Sequence, residues 1–307
     1  MQKKLKYIID TDIGDDIDDA FAVAFAANAG LNLIGITTVF RNSVQRARMT
    51  KRLLALCGRT DIPVYAGVDQ PFVQRIENLL PKEMIEKEMA KGYYELPQYM
   101  PEMDAVGYND DRHAVDFIIE SAEKYGKELV LIPIGPFTNI AMAIRKAPEI
   151  MKNVGEIRLI GGFYFQDVPE WNVACDPEAA RILYTFGIPI KAVGIDITTK
   201  CPLSQEDVAD LRRACDGGNA LICRMMDKWF AHYGQKAPIM HDPLVIASIL
   251  DDGVVGYEDK YVLIGLEGAQ RCKTVVEDAP SPLNAKISVG TAVDSGKFVK
   301  LFKQYIG

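Results

Sequence analysis

The sequence lacks both a long apolar run and an excess of basic residues. A transmembrane helix needs about 20 consecutive apolar residues, and no part of the 307-residue chain has such a run. Acidic residues outnumber basic ones by 42 to 35, giving a net charge of −7. This balance argues against nucleic acid or an anionic membrane as the main partner.

Cysteine and histidine are scarce and scattered. The six cysteines form no C-x-x-C pair, so in a chain of this size we expect reduced thiols and a cytoplasmic location. The N-terminus, MQKKLKYIID, enters a predicted strand too early for a signal peptide. Without a cysteine cluster, and with only three histidines, a zinc site is disfavoured.

Apolar, β-branched runs alternate with helical patterns along most of the chain. Residues 31–39 (LNLIGITTV), for example, form a continuous apolar run typical of a parallel strand buried on both faces. The alternation predicts an α/β fold with a doubly wound, mostly parallel, Rossmann-like sheet. Because 49% of the residues are hydrophobic, a large core is available, and we expect one domain spanning residues 1–307.

Two parts of the chain depart from this alternation. Residues 70–111 contain several prolines and a charged run, KEMIEKEMAK, which predict an inserted loop and helix excursion. Residues 261–290 predict a small additional C-terminal β element of antiparallel strands, followed by a helix at about 294–305.

The most informative stretch is an acidic turn directly after the first predicted strand. It places six aspartates within ten residues: Asp10, Asp12, Asp15, Asp16, Asp18 and Asp19. Ligands bind at the carboxyl ends of the strands in such sheets, and closely spaced carboxylates repel one another unless a cation lies among them. Oxygen ligands of this kind suit a hard cation such as Ca²⁺, so the turn predicts a metal site.

Other kinds of acidic turn share part of this pattern. An EF-hand loop requires glycine at its sixth position and glutamate at its twelfth, where this chain has Asp15 and Phe21. A metal-dependent phosphatase also carries D-x-D after its first strand, like Asp10 and Asp12, and stays an alternative. A solvated turn that caps a helix explains one or two acids better than six.

Three later segments carry polar residues where predicted strands end and helices begin. They are residues 134–141 (IGPFTNIA), 170–180 (EWNVACDPEAA) and 239–245 (IMHDPLV). With the N-terminal D-x-D-x-G and D-D-A, they resemble the inosine–uridine-type nucleoside hydrolases in the same order over nearly the whole chain. The resemblance implies an N-glycosyl hydrolase that splits a ribonucleoside into free base and ribose. It also implies a homodimer or homotetramer, while a non-catalytic calcium- and sugar-binding protein on the same fold stays an alternative.

The resemblance also implies a role for each matching residue. Calcium would be held by Asp12, Asp19, the carbonyl of Thr138 and Asp242. Asp12 would also activate the attacking water, with Asp10 as a supporting acid. His241 is a candidate to protonate or orient the leaving base on its residue type alone, because a histidine titrates in the right range; a helix-start histidine hydrogen-bonded for structure is an equal alternative. The substrate would be bound by Asp18, Asn42, Glu170, Trp171 and Asn172.

The chain departs from the family pattern in ways that concern the substrate. The acidic turn is two residues longer than the common D-x-D-P-G-x-D-D, so Asp16 is an alternative to Asp18 as the ribose ligand. Residues 70–111 contain no histidine, which leaves Tyr93, Tyr94 or Tyr99 to cover the base. Purine or pyrimidine preference is therefore open. Trp229 is expected in the core or at a subunit interface, and His232 in an ordinary helix.

Overall fold

The computed structural model describes residues 5–73, 96–214, 217–234 and 237–306. Its centre is a nine-stranded sheet with the order β3-β2-β1-β4-β5-β6-β9-β7-β8. The strands are β1 (Lys6–Thr11), β2 (Leu33–Thr38), β3 (Val64–Ala66), β4 (Leu129–Pro133), β5 (Glu156–Ile160), β6 (Ile190–Val193), β7 (Val255–Ile264), β8 (Thr274–Glu277) and β9 (Asn284–Val293). All pairings from β3 to β9 are parallel, which confirms the predicted α/β class.

Helices connect the strands and cover both faces of the sheet. Those in the described residues are α1 (Asp18–Asn28), α2 (Ser43–Leu56), α3 (Ala114–Tyr125), α4 (Thr138–Lys146), α5 (Pro148–Met151), α6 (Trp171–Cys175), α7 (Pro177–Thr185), α8 (Ile195–Thr198), α9 (Gln205–Arg213), α10 (Gly217–Tyr233), α11 (His241–Leu250) and α12 (Ser295–Ile306). None of them is long and apolar enough to cross a membrane.

The strand order reverses at β1. From there the chain runs outward through β2 and β3, and then returns to place β4 on the other side of β1. Such a reversal opens a crevice at the carboxyl ends of the two central strands, because their connections leave in opposite directions. The acidic turn follows β1 and the segment at Thr138 follows β4, so both open onto this crevice.

Two apolar cores lie on the two faces of the sheet. In β1, Ile9 belongs to one core and Ile8 to the other, as expected from the alternation of side chains along a strand. The first core includes Phe21 and Phe25 of α1, which meet Phe302 of α12 edge to face with ring centroids 5.6 Å apart. These contacts anchor the helix that follows the acidic turn.

Three predictions need comment. The C-terminal strands form the predicted antiparallel pairs, but β9 also pairs in parallel with β6, so they extend the main sheet. The middle of the predicted 70–111 excursion, with Tyr93 and Tyr94, lies outside the described residues, and a short 3-10 helix occupies Pro101–Ala105. Cys223 is disulfide-bonded, so the expectation of reduced thiols is wrong there, whereas four other cysteines are free (Cys57, Cys175, Cys201 and Cys272).

Candidate active site

The acidic turn connects the end of β1 to the start of α1. Gly14 has φ +120°, a conformation that other residues rarely adopt, and its α-carbon faces the side chains of Leu96 and Met49. The turn therefore reverses tightly and delivers Asp18 and Asp19 as the first two residues of α1. Both carboxylates lie at the positive end of the helix dipole, which favours negative charge.

Three buried carboxylates converge at this point. Asp18, Asp19 and Asp242 each offer an oxygen atom, and these atoms lie within 4.8 Å of one another. Asp242 is the second residue of α11, and its backbone N–H donates to Asp18 Oδ2 at 3.2 Å. The hydroxyl of Thr11 donates to Asp19 Oδ1 at 2.5 Å and so fixes that carboxylate.

Burial and mutual repulsion make these acids hard to ionise. Burial raises the pKa of Asp12 to about 7, assisted by the charges of Asp15 and Asp18 and opposed by Arg46. Burial likewise raises the pKa of Asp18 to about 6, and the pKa values of Asp19 and Asp242 lie well above the ordinary range. A divalent cation bound between them would remove this penalty.

The donor set fits a hard cation. All the converging atoms are carboxylate oxygens, the ligands that Ca²⁺ and Mg²⁺ prefer. At the end of β1, Asp10 Oδ2 is buried without a hydrogen-bond partner, while Asp10 Oδ1 accepts from Thr37 at 2.6 Å and from Asn139 at 2.8 Å. Burial raises the pKa of Asp10 to about 7, against the hydrogen bonds from Thr37 and Asn139, so an ionised Asp10 is costly in this position.

Two of the residues predicted as metal ligands lie outside the three-carboxylate group. Asp12 lines the same cavity and interacts electrostatically with Asp19. Thr138 is buried at the start of α4, and its hydroxyl donates to Asp176 Oδ2 at 2.7 Å. That bond fixes the first turn of α4.

A cavity of about 450 Å³ opens at the acidic turn. Its polar lining comes from segments that follow several strands and from α10 and α11, and comprises Asp12, Asp15, Asp16, Asp18, Asp19, Arg41, Glu170, Asn172, His232, His241 and Asp242. Its aromatic lining consists of Phe163, Trp171, Trp229 and Tyr233. A wall that combines carboxylates with aromatic rings suits a ligand with hydroxyl groups and a flat ring.

Glu170 and Asn172 are held rigidly at the cavity. Glu170 caps α6 by accepting the backbone N–H groups of Asn172 at 2.9 Å and Val173 at 3.0 Å. It also accepts the N–H of Gly162 at 3.0 Å, while the Asn172 amide donates to the carbonyl of Ile134 at 2.9 Å. Between them Trp171 remains 40% exposed, so its indole is available to a ligand.

The two alternatives for the ribose ligand differ in burial. Asp18 is 3% exposed and belongs to the three-carboxylate group. Asp16 is exposed to the cavity, and its Oδ1 accepts the N–H of Ile17 at 2.6 Å. Both line the cavity, and the charges of both raise the pKa of Asp242, so Asp16 and Asp18 stay alternatives as the ribose ligand.

Two other predicted substrate contacts are not part of the cavity wall. Asn42 lies just before α2 and does not line the cavity, whereas its neighbour Arg41 does. The phenol of Tyr99 donates to Asp104 at 2.8 Å and is likewise absent from the wall. Contact of either residue with a bound nucleoside stays a prediction.

His241 lies at the start of α11 with its ring in the cavity wall. Its Nδ1 is 2.7 Å from the hydroxyl of Thr198, so the ring is oriented and Nε2 is left for other contacts. Burial lowers the pKa of this imidazole, while the carboxylate of Asp16 raises it by a smaller amount.

The sequence interpretation missed the contribution of α10. Trp229, His232 and Tyr233 all line the cavity, although the sequence favours the core or a subunit interface for Trp229 and an ordinary helix for His232. Trp229 is only 1% exposed, so the core assignment is correct as far as burial goes. The missed signal is their spacing at i, i+3 and i+4, which places all three on one helix face.

Comparison with known proteins identifies the family of this chain. Residues 7–300 match the sequence model of the inosine-uridine preferring nucleoside hydrolases. The chain belongs to this family. Its enzymatic class is therefore that of the N-glycosyl hydrolases, which cleave the N-glycosidic bond of ribonucleosides.

Individual relatives differ in the base they prefer. The chain is 30% identical to a pyrimidine-specific ribonucleoside hydrolase, RihB, of Escherichia coli O157:H7, over 99% of this chain and 97% of the relative. It is also 30% identical to the structure of a purine-preferring ribonucleoside hydrolase from Gardnerella vaginalis, with a TM-score of 0.80 and 98% of each chain covered. A plant nucleoside hydrolase, PpNRh1, superimposes with a TM-score of 0.81 at 25% identity, over 99% of each chain.

Proposed function

We propose that this nucleoside hydrolase splits ribonucleosides into free base and ribose with the help of one Ca²⁺ ion. The observation that carries the proposal is the group of buried carboxylates opening onto a cavity with aromatic walls. We infer that Asp12, Asp19, the carbonyl of Thr138 and Asp242 hold the ion, and that the whole chain, residues 1–307, acts as one domain.

An all-oxygen site suits calcium better than zinc, which takes nitrogen and sulfur ligands. Once bound, the ion would lower the pKa of a coordinated water and grip ribose hydroxyls. The carboxylates must be ionised to bind it, so the binding of calcium and the release of protons are coupled at this site.

Asp12 is proposed as the general base. It lines the cavity at the end of β1, and its pKa of about 7 without metal reflects its burial. The attacking water gives its proton to Asp12 as its oxygen bonds to the anomeric carbon of the ribose. The N-glycosidic bond breaks, its electron pair passes to the base nitrogen, and positive charge builds on the sugar ring as in other glycoside hydrolyses.

Asp18, Glu170 and Asn172 are proposed to orient the ribose. Their fixed positions limit the freedom of the sugar, which is how a preformed site lowers the entropic part of a barrier. The negative charge of Asp18 also stabilises the positive charge that develops on the sugar. The exposed indole of Trp171 is proposed to lie against the base.

His241 is proposed to protonate the departing base through Nε2. Its hydrogen bond with Thr198 fixes the plane of the ring, and its place in the cavity wall gives it access to the substrate. The homodimeric or homotetrameric state and the cytoplasmic location stay predictions.

The proposal is tested by replacing Asp12, the proposed general base. Asp12→Ala is expected to abolish release of ribose from uridine and inosine while leaving the protein folded. Asp69→Asn is the matched control, since Asp69 lies at the same edge of the sheet, accepts the N–H of Ser43, and does not line the cavity. If Asp12→Ala turned over within a few-fold of wild type, the assignment of the general base would be wrong.

A further inference from the structure

One arginine is completely buried beneath the acidic turn. Arg46, in the first half of α2, has 0% of its surface exposed. Its Nη1 donates to the backbone carbonyls of Asp12 and Ile13, the latter at 2.9 Å. The guanidinium of Arg46 therefore binds the backbone at Asp12, the residue proposed as the general base.

The same guanidinium reaches the turn that follows β2. Its Nε donates to the carbonyl of Phe40 at 2.7 Å. Phe40 and Arg41 have φ of 69° and 56°, in the left-handed region that residues other than glycine rarely adopt. Consecutive residues persist in such a conformation only where surrounding contacts hold them, and Arg46 provides one of these contacts.

Asp15 completes the connection between the two turns. Its Oδ2 accepts from Arg46 Nη2 at 2.8 Å, and its Oδ1 lies 3.5 Å from Arg41 Nη1. Asp15 and Arg41 both line the cavity, whereas Arg46 does not. The planar donor fork of arginine thus bonds three carbonyls and one carboxylate, a pattern that lysine with its single ammonium group cannot reproduce.

A second side chain fixes the remainder of the turn. The amide of Gln98 is buried and donates to the carbonyls of Asp15 at 3.0 Å and Asp16 at 2.7 Å. The backbone carbonyls of Asp12, Ile13, Asp15 and Asp16 are therefore all held from outside the turn. Of these two side chains, Arg46 also donates to the carbonyl of Phe40 in the second turn, which carries Arg41 of the cavity wall.

We propose that Arg46 is a positioning residue for the reaction, which locks the turn bearing Asp12 to the strained turn bearing Arg41. The inference rests on the proposed function, because it assigns to Arg46 the placement of the proposed base and of the carboxylates that bind calcium. The alternative is that Arg46 stabilises the fold without affecting the site.

Three variants separate these roles. Arg46→Lys keeps the charge but loses the donor fork, and Asp15→Asn keeps the shape of its partner but removes the charge. Arg181→Lys is the matched control, since Arg181 of α7 donates from both Nε and Nη2 to the carbonyl of Ile264, away from the cavity. Each protein is assayed for kcat and KM with uridine or inosine, for calcium affinity by calorimetry, and for melting temperature.

For Arg46→Lys, kcat is expected to fall roughly 10- to 100-fold and calcium affinity about tenfold, as for other groups that orient metal ligands. KM is expected to change much less than kcat, because the substrate contacts stay in place. Asp15→Asn should likewise lower both kcat and calcium affinity. If Arg46→Lys does not fold, Asp15→Asn still tests the inference. Arg181→Lys should change neither.

The inference is overturned if Arg46→Lys and Asp15→Asn lower only the melting temperature and leave kcat and calcium affinity of the folded protein at wild-type values. Failure of the proposed function is distinguishable, because the wild-type protein itself would then release no ribose. In that case the calcium affinities of wild type and Arg46→Lys still test whether Arg46 positions the calcium ligands. A wild-type protein that bound no calcium would contradict both the proposed function and the role of Arg46.

Discussion

Removal of the cation should make the stability of this protein fall as the pH rises from 5 to 8. The folded-state pKa is about 7 for Asp10, about 7 for Asp12 and about 6 for Asp18, against an ordinary value of 3.8. Between these limits the folded state binds more protons than the unfolded state. The metal-free protein is therefore most stable near the lower limit, and it loses that stability as the pH passes through the folded pKa values.

The size of the effect follows from proton counting. Each net proton held by the folded state changes the free energy of unfolding by about 1.4 kcal/mol per pH unit. His241 acts in the opposite direction, because its lowered pKa makes the unfolded state bind its proton more readily. Between pH 5.5 and 6.5 the three carboxyl groups, offset by one histidine, leave a net difference of about one proton or more, which corresponds to a melting-temperature change of about 2 °C per pH unit, and the slope becomes smaller above pH 7.

Thermal unfolding of chelator-treated protein at pH 5.5, 6.5 and 7.5 measures this slope. Carboxylates in exposed ion pairs, such as Asp61 and Asp259, have lowered pKa values and do not titrate in this range. Calcium added at about 100 times its Kd should stabilise the protein by about 2.7 kcal/mol, with more calcium needed at low pH. A metal-free protein whose melting temperature stayed constant or rose with pH would refute the reasoning.

Three substitutions give further expected outcomes. Asp242→Asn removes one charge from the carboxylate group, so calcium affinity measured by calorimetry should fall at least tenfold, and an unchanged Kd would contradict the ligand assignment. Trp171→Ala removes an exposed indole, so KM for nucleosides should rise about tenfold or more with little change in the inhibition constant of free ribose; equal changes in both would place Trp171 beside the sugar. Thr198→Val removes the hydrogen bond that orients His241, so kcat should fall about three- to tenfold, and a wild-type rate would dissociate the orientation of His241 from catalysis.

Much of the fold and part of the site follow from local sequence signals. The apolar runs predict the parallel strands, and the D-x-D and D-D-A pattern places Asp12, Asp18 and Asp19 at one sheet edge. The wall formed by Trp229 and its neighbours was missed because α10 reaches the cavity only through tertiary packing. A tryptophan in a helical pattern is explained by burial in the core, so the sequence offers no separate reason to place Trp229 in a cavity wall.

Other features depend on contacts that no local pattern specifies. The proposed role of Arg46 depends on a buried guanidinium that bonds carbonyls of two separate turns, whereas in the sequence it is one of several basic residues in an amphipathic helix. The parallel pairing of β9 with β6 could not be read from strand spacing, since the chain forms β7 and β8 before it returns to the main sheet. The position of Asp16 likewise depends on how the longer turn folds.

Product analysis after incubation with a panel of purine and pyrimidine ribonucleosides and a generic phosphate ester tests the proposed reaction itself. Free base and reducing sugar should appear in equal amounts from at least one nucleoside, disappear after chelation, and return on addition of calcium, with no phosphate released. Binding without release of ribose would indicate a calcium- and sugar-binding protein, and release of phosphate would indicate a phosphatase. Undiminished turnover in metal-free protein would contradict the calcium-dependent reaction.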